Sequence, residues 1–127
     1  MNRIVFVIVA IALLASACGA PSLDMKVPLK GGSVANTKLQ YDTLMPVYTA
    51  VGTFVDGCKN MSVFDTKVTK EPYDLKQENG TYVDGKWEEL WSVNACGAEV
   101  SVPVKFVLDP TGATYIVSLD EIVVNKK

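Results

Sequence analysis

From Met61 to Leu119 the chain alternates apolar and polar residues in runs cut by turn-forming residues, and that pattern constrains its fold more than any other feature. A period of two puts one side of a strand in a core and the other in water. In "SVFDTKVTK" it sets Phe64, Thr66 and Val68 on one side, with Pro72 closing the run. In "KWEELWSVNAC" it groups Trp87, Glu89, Trp91, Val93 and Ala95. "EVSVPVKFVLD" groups Val100, Val102, Val104, Phe106 and Leu108, and "ATYIVSL" groups Tyr115, Val117 and Leu119. Asn79-Gly80, Asp84-Gly85 and the "DPTG" of residues 109–112 read as turns. Pro103 has no N–H to give a ladder, so its strand is expected at an edge, or with that position unpaired.

Ahead of these strands, Tyr41, Leu44, Met45, Tyr48, Val51 and Val55 recur at helical spacing. Asp42 or Thr43 suits the N-cap, Pro46 then falls in the first turn, and Gly57 suits the stop. The Val and Thr content and Gly52 leave a pair of strands as the alternative. One helix followed by four or so antiparallel strands predicts an α+β domain over 37–127, with the helix packed on one face of a meander.

About 90 residues make a small core, and such a domain gains from a covalent staple. Cys58 follows the helix and Cys96 ends the Trp-rich strand, so a Cys58–Cys96 disulfide would tie helix end to sheet. No Cys-x-x-Cys occurs, which argues against a redox or zinc role for this pair.

The 127 residues carry a formal charge of −2 and no histidine. The mild charge excludes a dedicated nucleic-acid binder. Without histidine there is no Ser-His-Asp or Cys-His dyad and no His-containing metal site, and no cofactor motif is present. Glu88 and Glu89 are adjacent, so on a strand they point to opposite faces and cannot act as an acid/base pair. We therefore expect a protein that is not an enzyme. Trp87, Glu89 and Trp91 share one face. They read as core, or as a partly covered binding face, because a carboxylate needs a partner or water.

At the N-terminus Arg3 precedes an unbroken apolar run, Ile4 to Leu14, followed by Ala15-Ser16-Ala17. This is the layout of an export signal over 1–17, and the run is too short to span a bilayer. Ala15-x-Ala17 satisfies ordinary signal peptidase. The stretch also resembles the lipobox of bacterial lipoprotein precursors, where small residues precede a cysteine that becomes the acylated N-terminus. Ala17 and Ser16 match that pattern; Ala15 stands where leucine is usual, with Leu14 one place earlier. The resemblance implies lipidation at Cys18, and with no acidic residue at Gly19 it implies transfer to the outer membrane. The three cysteines fit this count, since lipid on one leaves two to pair. Residues 18–36, rich in Gly, Pro and Ser, read as a flexible tether, in which "MKVPL" is a possible edge strand.

Trp91, Val93, Cys96, Gly97, Val102, Val104, Phe106, Asp109 and Gly112 resemble the W-x-V-x-x-C-G core, V-x-V-x-F strand and Asp-x-x-Gly turn of small bacterial lipoproteins. The same span is similar to the strand hairpin of periplasmic energy-transducer C-terminal domains. Together these features predict a lipid-anchored envelope lipoprotein whose domain binds an envelope protein or glycan. The alternative is a soluble periplasmic or secreted inhibitor or immunity-like protein.

Overall fold

The computed structural model describes residues 22–126. The signal segment 1–17, the Cys18 lipidation site and the first residues of the expected tether lie outside the described residues. In chain order the elements are β1 (Ser22–Leu23), α1 (Thr37–Gly52), β2 (Asn60–Glu78), β3 (Thr81–Ala95), β4 (Ala98–Asp109), β5 (Gly112–Val117), a 3-10 turn (Leu119–Glu121) and β6 (Val123–Lys126).

The strands form one curled sheet in the order β1-β2-β3-β4-β5, with β6 also on β4. β1 pairs parallel with β2, and the other pairs are antiparallel. The fold is therefore mostly β with one short helix, and the expected α+β domain of a helix on a four-strand meander is corrected. The error has a local cause. Pro72 and Asp84-Gly85 read as breaks, yet both lie inside strands. β2 carries Pro72 through a stretch of register shifts between Val68 and Lys76, where the ladder is already irregular. Gly85 marks a close approach rather than a turn: a Cβ there would sit 2.6 Å from Leu75 Cδ2. As a result β2 and β3 form one long hairpin closed by Asn79-Gly80, both at positive φ as a two-residue hairpin turn requires.

Three further turns and bulges set which side chains go inward. A register shift between Val63 and Asp65 buries Val63 and Thr66 and leaves Phe64 exposed, against the simple alternation. Cys96 and Gly97, at φ 51° and 85°, make the β3–β4 turn, which the sequence reading did not mark. Asp109 pairs with Gly112 across the expected "DPTG" hairpin. Pro103 lies within β4, not on an edge. It falls between the part of β4 paired with β6 and the part paired with β5, where its carbonyl accepts from Ser118 N and only the reciprocal N–H bond is missing.

The helix begins earlier than expected. Asn36 is the N-cap, its side-chain oxygen accepting from Leu39 N at 2.8 Å. Pro46 is consequently inside the helix, and Thr53, not Gly57, is the C-cap. The buried face carries Leu44, Val47, Tyr48 and Val51, whereas Tyr41 and Met45 are about half exposed. These helical residues meet Trp91, Val93, Val100, Val102, Val104 and Phe106 from the sheet in one core.

Residues 22–35 are not a free tether. Leu23, Met25, Val27 and Leu29 pack against the core at every second position. Polar bonds fix the same segment as a strap: Tyr48 Oη donates to Asp24 O (2.6 Å), Leu29 N to Gln40 Oε1 (2.7 Å) and Gly32 N to Thr66 O (2.8 Å). Gly31 has φ 107°, and a Cβ there would collide with the Thr66 backbone. The strap thus covers the β2 edge at the point where the bulge turns Thr66 inward.

Cys58 and Cys96 are joined, with a Cα–Cα distance of 5.8 Å. The bridge is the pairing expected from sequence, and it ties the β3–β4 turn to the segment after the helix.

Candidate functional site

Trp87, Glu89 and Trp91 do share one face of β3, but that face is core. Trp91 and Glu89 are essentially inaccessible, and Trp87 is 8% exposed. The reading as a partly covered binding face does not fit the burial of Glu89 and Trp91, whereas Trp87 keeps a small exposed edge. Its premise was that Glu89 lacked a buried partner. Instead, Trp87 Nε1 donates to Glu89 Oε2 at 2.7 Å and Trp91 Nε1 to Glu89 Oε1 at 2.9 Å. Val34 N, on the strap, donates to Oε2 at 3.0 Å. Three N–H groups therefore satisfy a carboxyl group that would otherwise be costly to bury. The spacing W-x-E-x-W was visible in the sequence: side chains two apart on a strand face the same way, which puts both indoles beside the glutamate.

The adjoining Thr66 works in the same manner. Its hydroxyl donates to Lys30 O (2.9 Å) and accepts from Ser33 N (3.1 Å). Glu89 and Thr66 together fasten the strap across the sheet. Tyr48 adds a third fastening, accepting from Val63 N at 3.2 Å while donating to Asp24 O. Burial holds its phenol above the usual tyrosine range, the Val63 N–H partly offsetting this.

The aromatic face reaches the surface at one end. Trp87, stacked on Phe106 with ring centroids 5.1 Å apart, floors a recess of about 280 Å³. Val34, Leu75, Tyr82 and Leu108 form its walls. Gly85 makes room for the Leu75 wall, since a Cβ there would sit 2.6 Å from Leu75 Cδ2. The indole N–H of Trp87 is already engaged by Glu89, so the floor offers a ligand apolar surface and no donor. Such a recess suits a hydrocarbon or a large apolar side chain. Sequence reasoning marked Trp87 but missed Leu75 and Tyr82, which meet it only because the hairpin curls.

A second, more polar hollow of about 820 Å³ lies along β1 and the start of β2, beside the disulfide, with Asp24, Lys26, Asn60 and Asn94 on its walls. Among the described residues, no three His, Cys, Asp or Glu side chains converge as metal ligands. Also among them, no helix is long and apolar enough to cross a membrane. Compared with protein-family models, with curated proteins and with solved structures, the chain matches none.

Proposed function

We propose that this chain is a lipid-anchored envelope lipoprotein of the outer membrane, whose domain is a non-enzymatic binding module facing the periplasm or the cell surface. The observation that carries the reading is the Cys58–Cys96 bridge. It occupies two of three cysteines and leaves Cys18, in its lipobox-like setting, with no cysteine of its own chain to pair with. Several acyl chains on that residue give stable attachment, where one alone is marginal. Because the strap is packed from Ser22 onward, four peptide steps separate Cys18 from the domain. They span at most about 14 Å, so the anchor holds the domain against its leaflet. The apolar recess over Trp87 favours a hydrophobic side chain of an envelope protein over a sugar, whose hydroxyls would find no partner on that floor.

The test is the intact mass of the mature protein together with its fractionation. Lipidation predicts a chain starting at Cys18 with an acyl increment, recovered with membranes, and a Cys18→Ser chain that loses both. A mature chain of unmodified mass in the soluble periplasm overturns the anchor and leaves the secreted inhibitor or immunity-like reading. For the recess, Leu75→Asp should abolish capture of an envelope partner while the tryptophan fluorescence still reports a folded domain. Unchanged capture would exclude the recess as the site.

A further inference from the structure

The two edges of the sheet are built differently. On the β2 side the strap covers the edge at Thr66, and beyond it Lys70, Pro72 and Lys76 sit in a stretch of register shifts. Lysines, proline and bulges are the devices that stop an edge from pairing with another chain. On the other side β5 reads GATYIV, with no charge, no proline and no bulge in its ladder with β4. No described strand pairs with its outer side.

The register identifies which backbone groups are free. Ser118 N donates to Pro103 O, so the even-numbered residues of β5 bond toward β4. The N–H and C=O groups of Ala113, Tyr115 and Val117 therefore face outward. Beside them runs an apolar groove of about 550 Å³, between Met45, Pro46 and Thr49 of the helix and Tyr115, Val117 and Leu119. Met45 and Leu119 are each about half exposed. A free ladder and an apolar trough along the same strand fit an added strand with apolar side chains at alternate positions.

We propose that β5 is a self-association edge, at which a second copy of this chain adds its own β5 antiparallel about a two-fold axis. β5 itself has the required chemistry: it is extended and uncharged, with Ala113, Tyr115 and Val117 on one side. With Tyr115 on the axis, Ala113 of one copy faces Val117 of the other, and every outward N–H and C=O finds a partner. No like charges meet across the axis. Tyr115 and Val117 of each copy then cover Met45 and Thr49 of its neighbour. The joined sheet is continuous, and the interface is isologous and closed. This inference does not depend on lipidation.

Sedimentation of the full chain in mild non-ionic detergent, over a range of concentrations, reads the mass directly. Self-pairing predicts a doubled mass. Ala113→Pro removes an outward N–H and no β4 bond, so it should return the mass to the monomer while the tryptophan-detected urea midpoint stays put. In a Cys18→Ser background, mixing Thr114→Cys chains with Ile116→Cys chains should give disulfide dimers faster than either alone, since those positions oppose each other across the axis. A chain monomeric at all concentrations overturns the proposal. So does a dimer indifferent to Ala113→Pro, crosslinking no faster in the mixture, or a monomer that adds only a different protein's strand.

Discussion

Replacing Glu89 by glutamine changes one atom and reverses its hydrogen-bonding sense. In the native structure two carboxyl oxygens accept from three N–H groups. Glutamine keeps one acceptor. Its best placement puts that oxygen at the Oε2 position, where it serves Val34 N and Trp87 Nε1. The amide NH₂ then faces Trp91 Nε1–H, and both donors lose their acceptor in a site 1% exposed. At about 1–3 kcal/mol for each of the two buried donors left unsatisfied, the loss is about 2–6 kcal/mol. A urea m-value of about 2 kcal/mol/M turns that into a midpoint lower by about 1–3 M. Trp87 and Trp91 are the only tryptophans, so fluorescence follows unfolding and the site together. Their two indole N–H resonances report which donor was orphaned, and Trp91 should move most. Adding Trp91→Phe removes the orphaned donor, so the double variant should lose less than the sum of the singles, by about 1 kcal/mol or more. A midpoint shift below about 0.3 M with both indole signals in place would refute the buried-acceptor account of Glu89.

Thr66→Val keeps the shape but orphans Lys30 O and Ser33 N, which should cost about 1–3 kcal/mol and raise hydrogen exchange in residues 30–34 before the sheet opens. Gly31→Ala should destabilise by more than about 1 kcal/mol in the same urea assay, because it forces both a positive φ and a collision with the Thr66 backbone. Cys58→Ser opens a bridge spanning 38 residues and should cost about 4 kcal/mol in the chain-entropy model, measured against the oxidised protein. Asp109 is held below the usual aspartate range, chiefly by the Thr111 hydroxyl and then by its N–H. A folded midpoint below the unfolded one makes its contribution present above the unfolded midpoint and lost as pH falls through the folded one. Carboxyl NMR should show that midpoint rising in Thr111→Val, and an unchanged midpoint would discount the hydroxyl.

Local pattern made much of this molecule legible. Trp91, Val93, Val100, Val102, Val104 and Phe106 were placed on core faces by alternation alone, and all are buried. The "DPTG" and Asn79-Gly80 turns and the disulfide pairing followed from residue type and spacing. Where local signals misled, a tertiary contact had claimed the residue. Gly85 looked like a turn because glycine permits one, but it serves the approach of Leu75. Asp42 looked like an N-cap because aspartate suits one, but Asn36 starts the helix a turn and a half sooner. The stripe drawn through Tyr41 and Met45 then lay off the buried face.

The sequence by itself determined the strand faces, the covalent staple and the chemistry of each side chain, because those depend on neighbours one to four residues away. Only the tertiary structure decided that a Pro- and Gly-rich stretch is a packed strap, that the paired tryptophans are core, and that one sheet edge is shielded while the other stays open. The reason is distance along the chain. Glu89 could be buried because an amide 55 residues earlier joins two indoles in meeting it. No periodicity records which remote backbone group will arrive at a buried acceptor, or which strand will be left at the end of a sheet.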